Sequence, residues 1–420
     1  MSSLKQKLKK VSVYTSLLFL LAACGGSKKT IEKNARAVLT SKLYENQFTG
    51  LMVIDSKNQD TLLNYNGKKY FTPASNTKIF TLFTTLNTLP DSIPALRYMT
   101  VNDTLYIEGT GDPTLLHSAF TYNTTLDFIK RYPNIVLVSN NLFDEVYGPG
   151  WSWDDYHYYY QPEKSSFPIY GNVLTMYNHG GLQVIPEYFK DSVLSINSSK
   201  NRAVNSNTFY FDPSRNDTLE VPFKLNGSLT KLLLEAAIGR SIGLTSAMPK
   251  GNSKLKYSVP TDSVLKRMMQ QSDNFLAEQL LIMASTTLSD TLDGRKAQEH
   301  ILDNQLSDLA QRPRWVDGSG LSRYNLFTPE SLVHTLNRLY QQVPQERLFS
   351  FFTAMGVSNS EPYIYAKSGS LGNNYCLSGY LLTQSGKTLI FSFMNNHFTE
   401  PTSEIIKRMQ VIFETLRNSY

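Results

Sequence analysis

Ser75-Asn76-Thr77-Lys78 places a hydroxyl and an amine three residues apart. On a helix, residues at that spacing are neighbours on one face. The amine can take the hydroxyl proton once burial or nearby cations depress its pKa, which makes the serine a nucleophile for acyl transfer. The spacing alone is weak, because Ser2/Lys5, Ser228/Lys231, Ser253/Lys256 and Ser263/Lys266 repeat it. Context separates them: only Ser75 follows a proline-containing loop and opens a strongly apolar helix, whose N-terminal dipole favours a developing negative charge.

Two further groups complete a constellation. Ser272-Asp273-Asn274 puts a hydroxyl and a carboxamide at a polar corner between two helical patterns, with weaker echoes at Ser139/Asn141 and Ser195/Asn197. Lys367-Ser368-Gly369 is the only Lys-[Ser/Thr]-Gly in the chain. It follows a strand-like run, where it offers a cation, a hydroxyl and a glycine that lets a substrate backbone come close.

The elements that must carry these residues are readable from periodicity. Gly50 to Asp55 and Thr61 to Tyr65 are β-rich runs joined by a polar turn, which predicts a hairpin. Ile79, Phe80, Leu82, Phe83 and Leu86 recur at helical spacing, so a helix should begin within a residue or two of Ser75. From about Arg97 to Lys256 short alternating runs rich in Thr, Asn and Tyr predict a mainly β region, with helices near Thr125 to Arg131 and Leu229 to Ile242. Helical patterns return at Ser263 to Met269 and Phe275 to Met283. Strand-like runs follow at Tyr363 to Ala366, Tyr375 to Leu382 and Thr388 to Asn395, and Ser403 to Leu416 reads as a closing amphipathic helix.

The three motifs in this order match the set that recurs in serine penicillin-recognising enzymes. Thr72 to Lys78, Gly109 to Leu115, Gly150 to Asp155 and Asp317 to Arg323 further resemble the D-alanyl-D-alanine carboxypeptidase/endopeptidase family. These are the class C low-molecular-mass penicillin-binding proteins, peptidase family S13. The resemblance runs from about residue 35 to the C-terminus, and three features depart from it. Lys-Ser-Gly replaces the commoner Lys-Thr-Gly, the insert is shorter than in many relatives, and Gly372 stands where relatives can carry a longer polar side chain.

What the resemblance implies is an α+β protein with a transpeptidase-like fold, a five-stranded antiparallel sheet flanked by helices. Residues 35–97 and 257–420 would form the catalytic domain and 98–256 the inserted region. The insertion accounts for the 197 positions from Ser75 to Ser272. Ser75 would attack a D-alanyl carbonyl with Lys78 as base and Ser272 passing the proton to the leaving amine. The backbone N–H groups of Ser75 and Ser370 would form the oxyanion hole. Lys367 and Ser368 would hold the substrate carboxylate, Asn274 its amide, and Gly369 would admit its backbone. Asp155, Tyr160 and Arg323 fall in segments placed near the cleft, where an acid and an arginine could read the ammonium and carboxylate of a diamino-acid side chain. The expected partners are peptidoglycan stem peptides, with β-lactams as covalent inhibitors. No Glu-x-x-Leu-Asn segment of the class A β-lactamase kind is present, so slow release of penicillin is expected. The alternative is a catalytically silent envelope lipoprotein that binds through the insert, whose Tyr156 to Tyr160 cluster could hold sugar.

The N-terminus places the chain. Lys5, Lys7, Lys9 and Lys10 precede an apolar run from Val11 to Ala23 that is short for a bilayer span, which reads as a signal peptide. Its end, Leu21-Ala22-Ala23-Cys24, resembles a lipobox, with Cys24 as the lipidated first residue of the mature chain, residues 24–34 as a tether, and the cell envelope as the location. Removing the leader takes four lysines and no acids, so the formal charge falls from +6 to +2 and no case for a nucleic-acid partner remains. Cys24 and Cys376 are the only cysteines, which leaves a single thiol after lipidation. His117, His157, His179, His300, His334 and His397 show no metal-ligand spacing, and neither metal nor cofactor is expected.

Overall fold

The computed structural model describes residues 28–358 and 361–420. The leader and Cys24 lie outside the described residues. The described residues divide into two compact units, one built from residues 28–76 together with Leu326–Tyr420, the other from Thr77–Asn325.

The first unit is a six-stranded antiparallel sheet in the order Thr353–Ser358, Glu361–Leu371, Asn374–Leu382, Thr388–Asn396, Phe48–Asp55, Thr61–Tyr65. Strand Thr388–Asn396 is buried along almost its whole length, as a central strand covered on both faces must be, and its apolar residues accordingly run on consecutively. On one face Leu51, Val53, Leu377, Leu381, Phe391 and Phe393 pack with residues of the helix over 28–39 and of helix Thr402–Ser419. On the other lies helix Pro329–Gln342, to which the Tyr380 hydroxyl donates at the Leu336 carbonyl, 2.9 Å. The core near 25 cal/mol per Å² of apolar surface is what holds these helices to the sheet.

Three expectations change here. The sheet has six strands, not five: Thr353–Ser358, whose sequence lacks apolar alternation, becomes the edge strand because the backbone of its neighbour offers it a ladder, from Thr353↔Ala366 to Ser358↔Glu361. The third expected strand is also longer, Glu361–Leu371, so Lys367-Ser368-Gly369 lies inside it, held by pairing to Ser378, Leu377 and Cys376. Residues 28–34, expected as tether, belong to the helix over 28–39, whose Ile31, Ala35 and Leu39 recur at helical spacing and are buried.

The second unit joins a helical cluster to the insert. Helices Lys78–Thr88, Thr261–Gln270, Asn274–Ala284 and Gly294–His300 pack on one another. Asn274–Ala284 is buried on every side except at its first residue, so its hydrophobicity is not confined to a stripe. The insert carries a mixed five-stranded sheet, Gly243–Thr245, Asn134–Val138, Thr104–Gly109, Ser92–Val101, Lys254–Pro260, whose last two strands straddle residues 97 and 257. Its helices, Thr124–Lys130 and Gly227–Ile238, stand where the periodicity places them. A three-stranded sheet, Leu219–Pro222, Val173–Asn178, Leu182–Ile185, completes it.

Candidate active site

In the first unit the site is built by pinning one turn to one strand. Phe71 pairs with Phe327, and the Thr72 backbone exchanges two hydrogen bonds with the Asn396 carboxamide, 2.7 Å from its N–H and 3.1 Å to its carbonyl. The chain then turns sharply: Ala74 has φ +48°, in the left-handed region that an L-residue rarely enters. Such strain is held in place by its surroundings and is common at functional sites. It leads into the 3-10 turn Ala74–Thr77, which runs directly into helix Lys78–Thr88, so Ser75 sits half-buried just before the helix proper.

Asn76, fully buried, donates from Nδ2 to the carbonyls of Lys367, 3.0 Å, and Cys376, 3.4 Å. This clamps the turn that carries Ser75 to the strand that carries Lys367. Gly369 lets the two come together: a Cβ there would lie 2.5 Å from the Pro73 carbonyl oxygen and 2.9 Å from the Asn76 nitrogen. Its requirement is steric and not one of φ. Lys367 is buried and its Nζ donates to the Ser368 carbonyl, 2.8 Å, while Ser368 is half-buried and Ser370 exposed. Among the described residues the ladder with Thr353–Ser358 ends at Ala366, so Lys367–Leu371 continue past it. Cys376 is a structural thiol: it is fully buried, contacts the Thr72 carbonyl, and burial pushes its pKa up to about 12.

In the second unit Lys78 is the centre. Its side chain is fully buried and Nζ donates to Asn274 Oδ1, 2.7 Å, and to the Ser319 carbonyl, 2.8 Å. Burial lowers its pKa from 10.5 to about 8, against the opposing pull of Glu278, Asp317 and Asp273. A neutral amine has two N–H groups and one lone pair. Asn274 and Ser319 each accept from the amine, which restricts the directions its lone pair can take.

Around it, Glu278 accepts from the backbone N–H groups of Gly318, 3.1 Å, and Ser319, 2.8 Å. Burial, with Asp317 nearby, raises its carboxyl well above the usual range. Asp317 accepts from Gly320 N–H, Ser322 N–H, Asn325 Nδ2 and Trp151 Nε1 at 2.6–2.9 Å. Thr81 Oγ1 donates to the Gly318 carbonyl, 2.6 Å, and a Cβ on Gly318 would meet the Ala277 carbonyl oxygen at 2.5 Å. The loop that presents the Ser319 carbonyl to Lys78 is therefore fixed from both sides.

Ser272 sits at the expected corner between Thr261–Gln270 and Asn274–Ala284, itself at φ +56°. Asp273 caps the second helix by accepting from Leu276 N–H, 3.1 Å, and pairs with Arg267. The Asn274 carboxamide is engaged on both ends, by Lys78 at Oδ1 and by donation to the Tyr160 carbonyl, 3.0 Å. It orients Lys78 in addition to any part it plays with substrate. Asp155 is half-buried and bonded to the Tyr160 hydroxyl, whose pKa burial and Asp155 together raise to about 12. Arg323 is exposed, on the loop that Asp317 organises. The two segments holding Asp155 and Arg323 are tied by Trp151 to Asp317 and by Ser322 Oγ to the Pro149 carbonyl, 2.7 Å.

Glu278 stands in no motif, and Asn76, Asp317 and Ser319 fall in family-like segments that show nothing of the contacts they make here. The signal for Glu278 is a Glu-Gln pair in an otherwise apolar helix, since a carboxylate is almost never fully buried without partners. Among the described residues no group of three His, Cys, Asp or Glu is placed to hold a metal ion.

The family model described as the D-Ala-D-Ala carboxypeptidase 3 (S13) family matches residues 31–184 and 224–416. The chain is 24% identical to the D-alanyl-D-alanine carboxypeptidase DacB of Haemophilus influenzae, over 97% of this chain and 98% of that one. It is 24% identical to a D-alanyl-D-alanine carboxypeptidase of an Actinomadura species, over 91% and 84%. Its fold matches the crystal structure of penicillin-binding protein 4 of Haemophilus influenzae with a TM-score of 0.74 at 18% identity, covering 92% of this chain and 99% of that one. The match over most of the chain, with the serine, lysine and asparagine motifs placed as described, means that this protein belongs to the D-Ala-D-Ala carboxypeptidase 3 (S13) family of serine DD-peptidases.

Proposed function

We propose that the protein removes the terminal D-alanine of peptidoglycan stem peptides, and cleaves D-alanyl cross-links between them, through an acyl-serine intermediate. The observation that carries this reading is Lys78: a fully buried amine with a depressed pKa and two engaged donors, one helical turn along the chain from Ser75.

Ser75 Oγ attacks the carbonyl carbon of the penultimate D-alanine and its proton passes to Lys78 Nζ. The C–N bond breaks, the leaving amine takes a proton relayed through Ser272, and an ester to Ser75 remains. Water then attacks the ester carbonyl, Ser75 recovers its proton, and the shortened stem peptide leaves as a carboxylic acid. The backbone N–H groups of Ser75 and Ser370, on the turn and the strand that Asn76 clamps together, bind the oxyanion. Past the end of the ladder at Ala366 a substrate backbone adds to the strand, with Lys367 and Ser368 receiving the terminal carboxylate. Asp155, Tyr160 and Arg323 read the charged end of the diamino-acid side chain. β-Lactams acylate Ser75, consistent with the penicillin-binding name of the structural relative. Cys24 carries a lipid that holds the enzyme to an envelope membrane.

Mass analysis of muropeptides after incubation with the protein tests the activity. Pentapeptide monomers should lose one D-alanine and cross-linked dimers should yield monomers. If both substrates persist unchanged, the reading fails.

A further inference from the structure

The family model passes over residues 185–223, yet that stretch holds the segment carrying Asp155 and Tyr160. Its base is anchored in the core of the insert: Phe209 packs on Phe189, with ring centroids 5.4 Å apart, and both are buried. From that base Lys200, Asn201 and Arg202 of the loop over 200–208 reach the segment Asp154–His157. Lys200 pairs with Asp154. Asn201 holds His157 at both ends, its N–H to Nδ1 and its Nδ2 to the carbonyl, each at 3.3 Å. Tyr156 donates its hydroxyl to the Arg202 carbonyl, 2.8 Å. The Arg202 guanidinium lies 5.1 Å from the centre of the Tyr156 ring and donates to the Tyr156 carbonyl, 3.5 Å.

Arg202 also holds the loop to itself. Nη1 donates to the carbonyls of Ala203, 2.8 Å, and Ser206, 3.2 Å, and the residue is 1% exposed. A guanidinium buried to that degree is costly unless its donors are engaged and an opposite charge is near; Nη1 and Nη2 are engaged, and Nε has no hydrogen-bond partner among the described residues. Here Glu163 provides that charge, with its own carboxylate accepting from Tyr147 and Lys224. Arg202 fixes Tyr156, which directly precedes His157 and opens the turn leading to Tyr160, and the Tyr160 carbonyl in turn receives Asn274.

We propose that the loop over 200–208 is a clamp, with Arg202 as its positioning residue, that sets the placement of Asp155 and Tyr160 and thereby the preference of the enzyme for stem peptides bearing a charged diamino-acid side chain. This rests on the reading that Asp155 and Tyr160 contact that side chain.

The test compares the full chain with Arg202→Met, which keeps the volume and removes the donors, and with Lys200→Ala/Asn201→Ala, which loosens the loop from its surface. Asp155→Asn reports on the underlying reading. Each is assayed on a diaminopimelate-containing stem pentapeptide and on a short acyl-D-alanyl-D-alanine, with active sites counted by penicillin titration. The clamp variants should raise KM for the stem peptide by about tenfold while kcat/KM on the short peptide stays within about threefold. A structural defect would lower the titrated sites or both substrates together. If Asp155→Asn is selective and neither clamp variant is, the clamp is wrong and the reading stands. If Asp155→Asn is not selective, both fall. If Arg202→Met fails to fold, the surface double variant decides alone.

Discussion

Lys78 Nζ lies 2.7 Å from Asn274 Oδ1, a bond between residues 196 positions apart that makes one working group of two motifs. The lysine gains an acceptor that holds its amine in one direction, and the asparagine gains a fixed orientation through its second bond to Tyr160. Burial keeps the amine easily neutralised despite three carboxylates around it.

The pH dependence of acylation follows. Below about pH 8 the Lys78 amine is protonated and cannot accept the Ser75 proton; above it the amine is neutral and can. The acylation rate with a β-lactam should therefore rise with pH through about 8. Lys78→Ala should lower that rate by about 10²–10⁴-fold and remove the rise. Stopped-flow acylation across pH 6 to 10 measures both, and an unchanged profile in Lys78→Ala would assign the base elsewhere.

Asn274→Ala removes the acceptor but not the amine. Its acylation profile should keep its shape and move in midpoint, with a rate loss smaller than that of Lys78→Ala, because the Ser319 carbonyl still holds one donor. A loss as large as that of Lys78→Ala would mean that Asn274 acts on substrate before it acts on lysine.

Gly369→Ala tests the close approach of the strand to the Ser75 turn. A methyl 2.5 Å from the Pro73 carbonyl oxygen must push the strand or the turn aside. Thermal or urea unfolding should show a loss of about 1–3 kcal/mol, as overpacking in a tight site costs. Acylation should fall with it, whereas Ser368→Ala, which adds no bulk, should keep stability near that of the parent.

How far the site was legible depends on the range of the contacts. Ser75/Lys78, Ser272/Asn274 and Lys367 to Gly369 are short motifs whose spacing shows within a few residues, and the helices near Ser75 and Asn274 follow from periodicity. The S13 resemblance, the α+β class and the antiparallel sheet with its flanking helices agree with the family match and the fold. Asp317 stands in a segment recognisable by resemblance, but nothing local shows that its carboxylate gathers Trp151, Ser322 and Asn325. Asn76 reads as the filler of a motif until Lys367, 291 positions away, appears beside it. The edge strand Thr353–Ser358 escaped because its strand character comes from a neighbour's backbone and not from its own side chains. Arg202 looks like any surface arginine, since burial of a cation is decided wholly by what folds over it.

Cys24→Ser tests the anchor. The variant should accumulate as unprocessed precursor or appear in the soluble fraction, without incorporating labelled fatty acid. Normal membrane fractionation with normal lipid labelling would remove Cys24 from the account.

The most direct measurement of the central claim is intact-mass and peptide mass spectrometry after incubation with benzylpenicillin. The account predicts one added penicilloyl group, located on the peptide containing Ser75 and absent from Ser75→Ala. An adduct that persists in Ser75→Ala, or that maps to a peptide without Ser75, would contradict it.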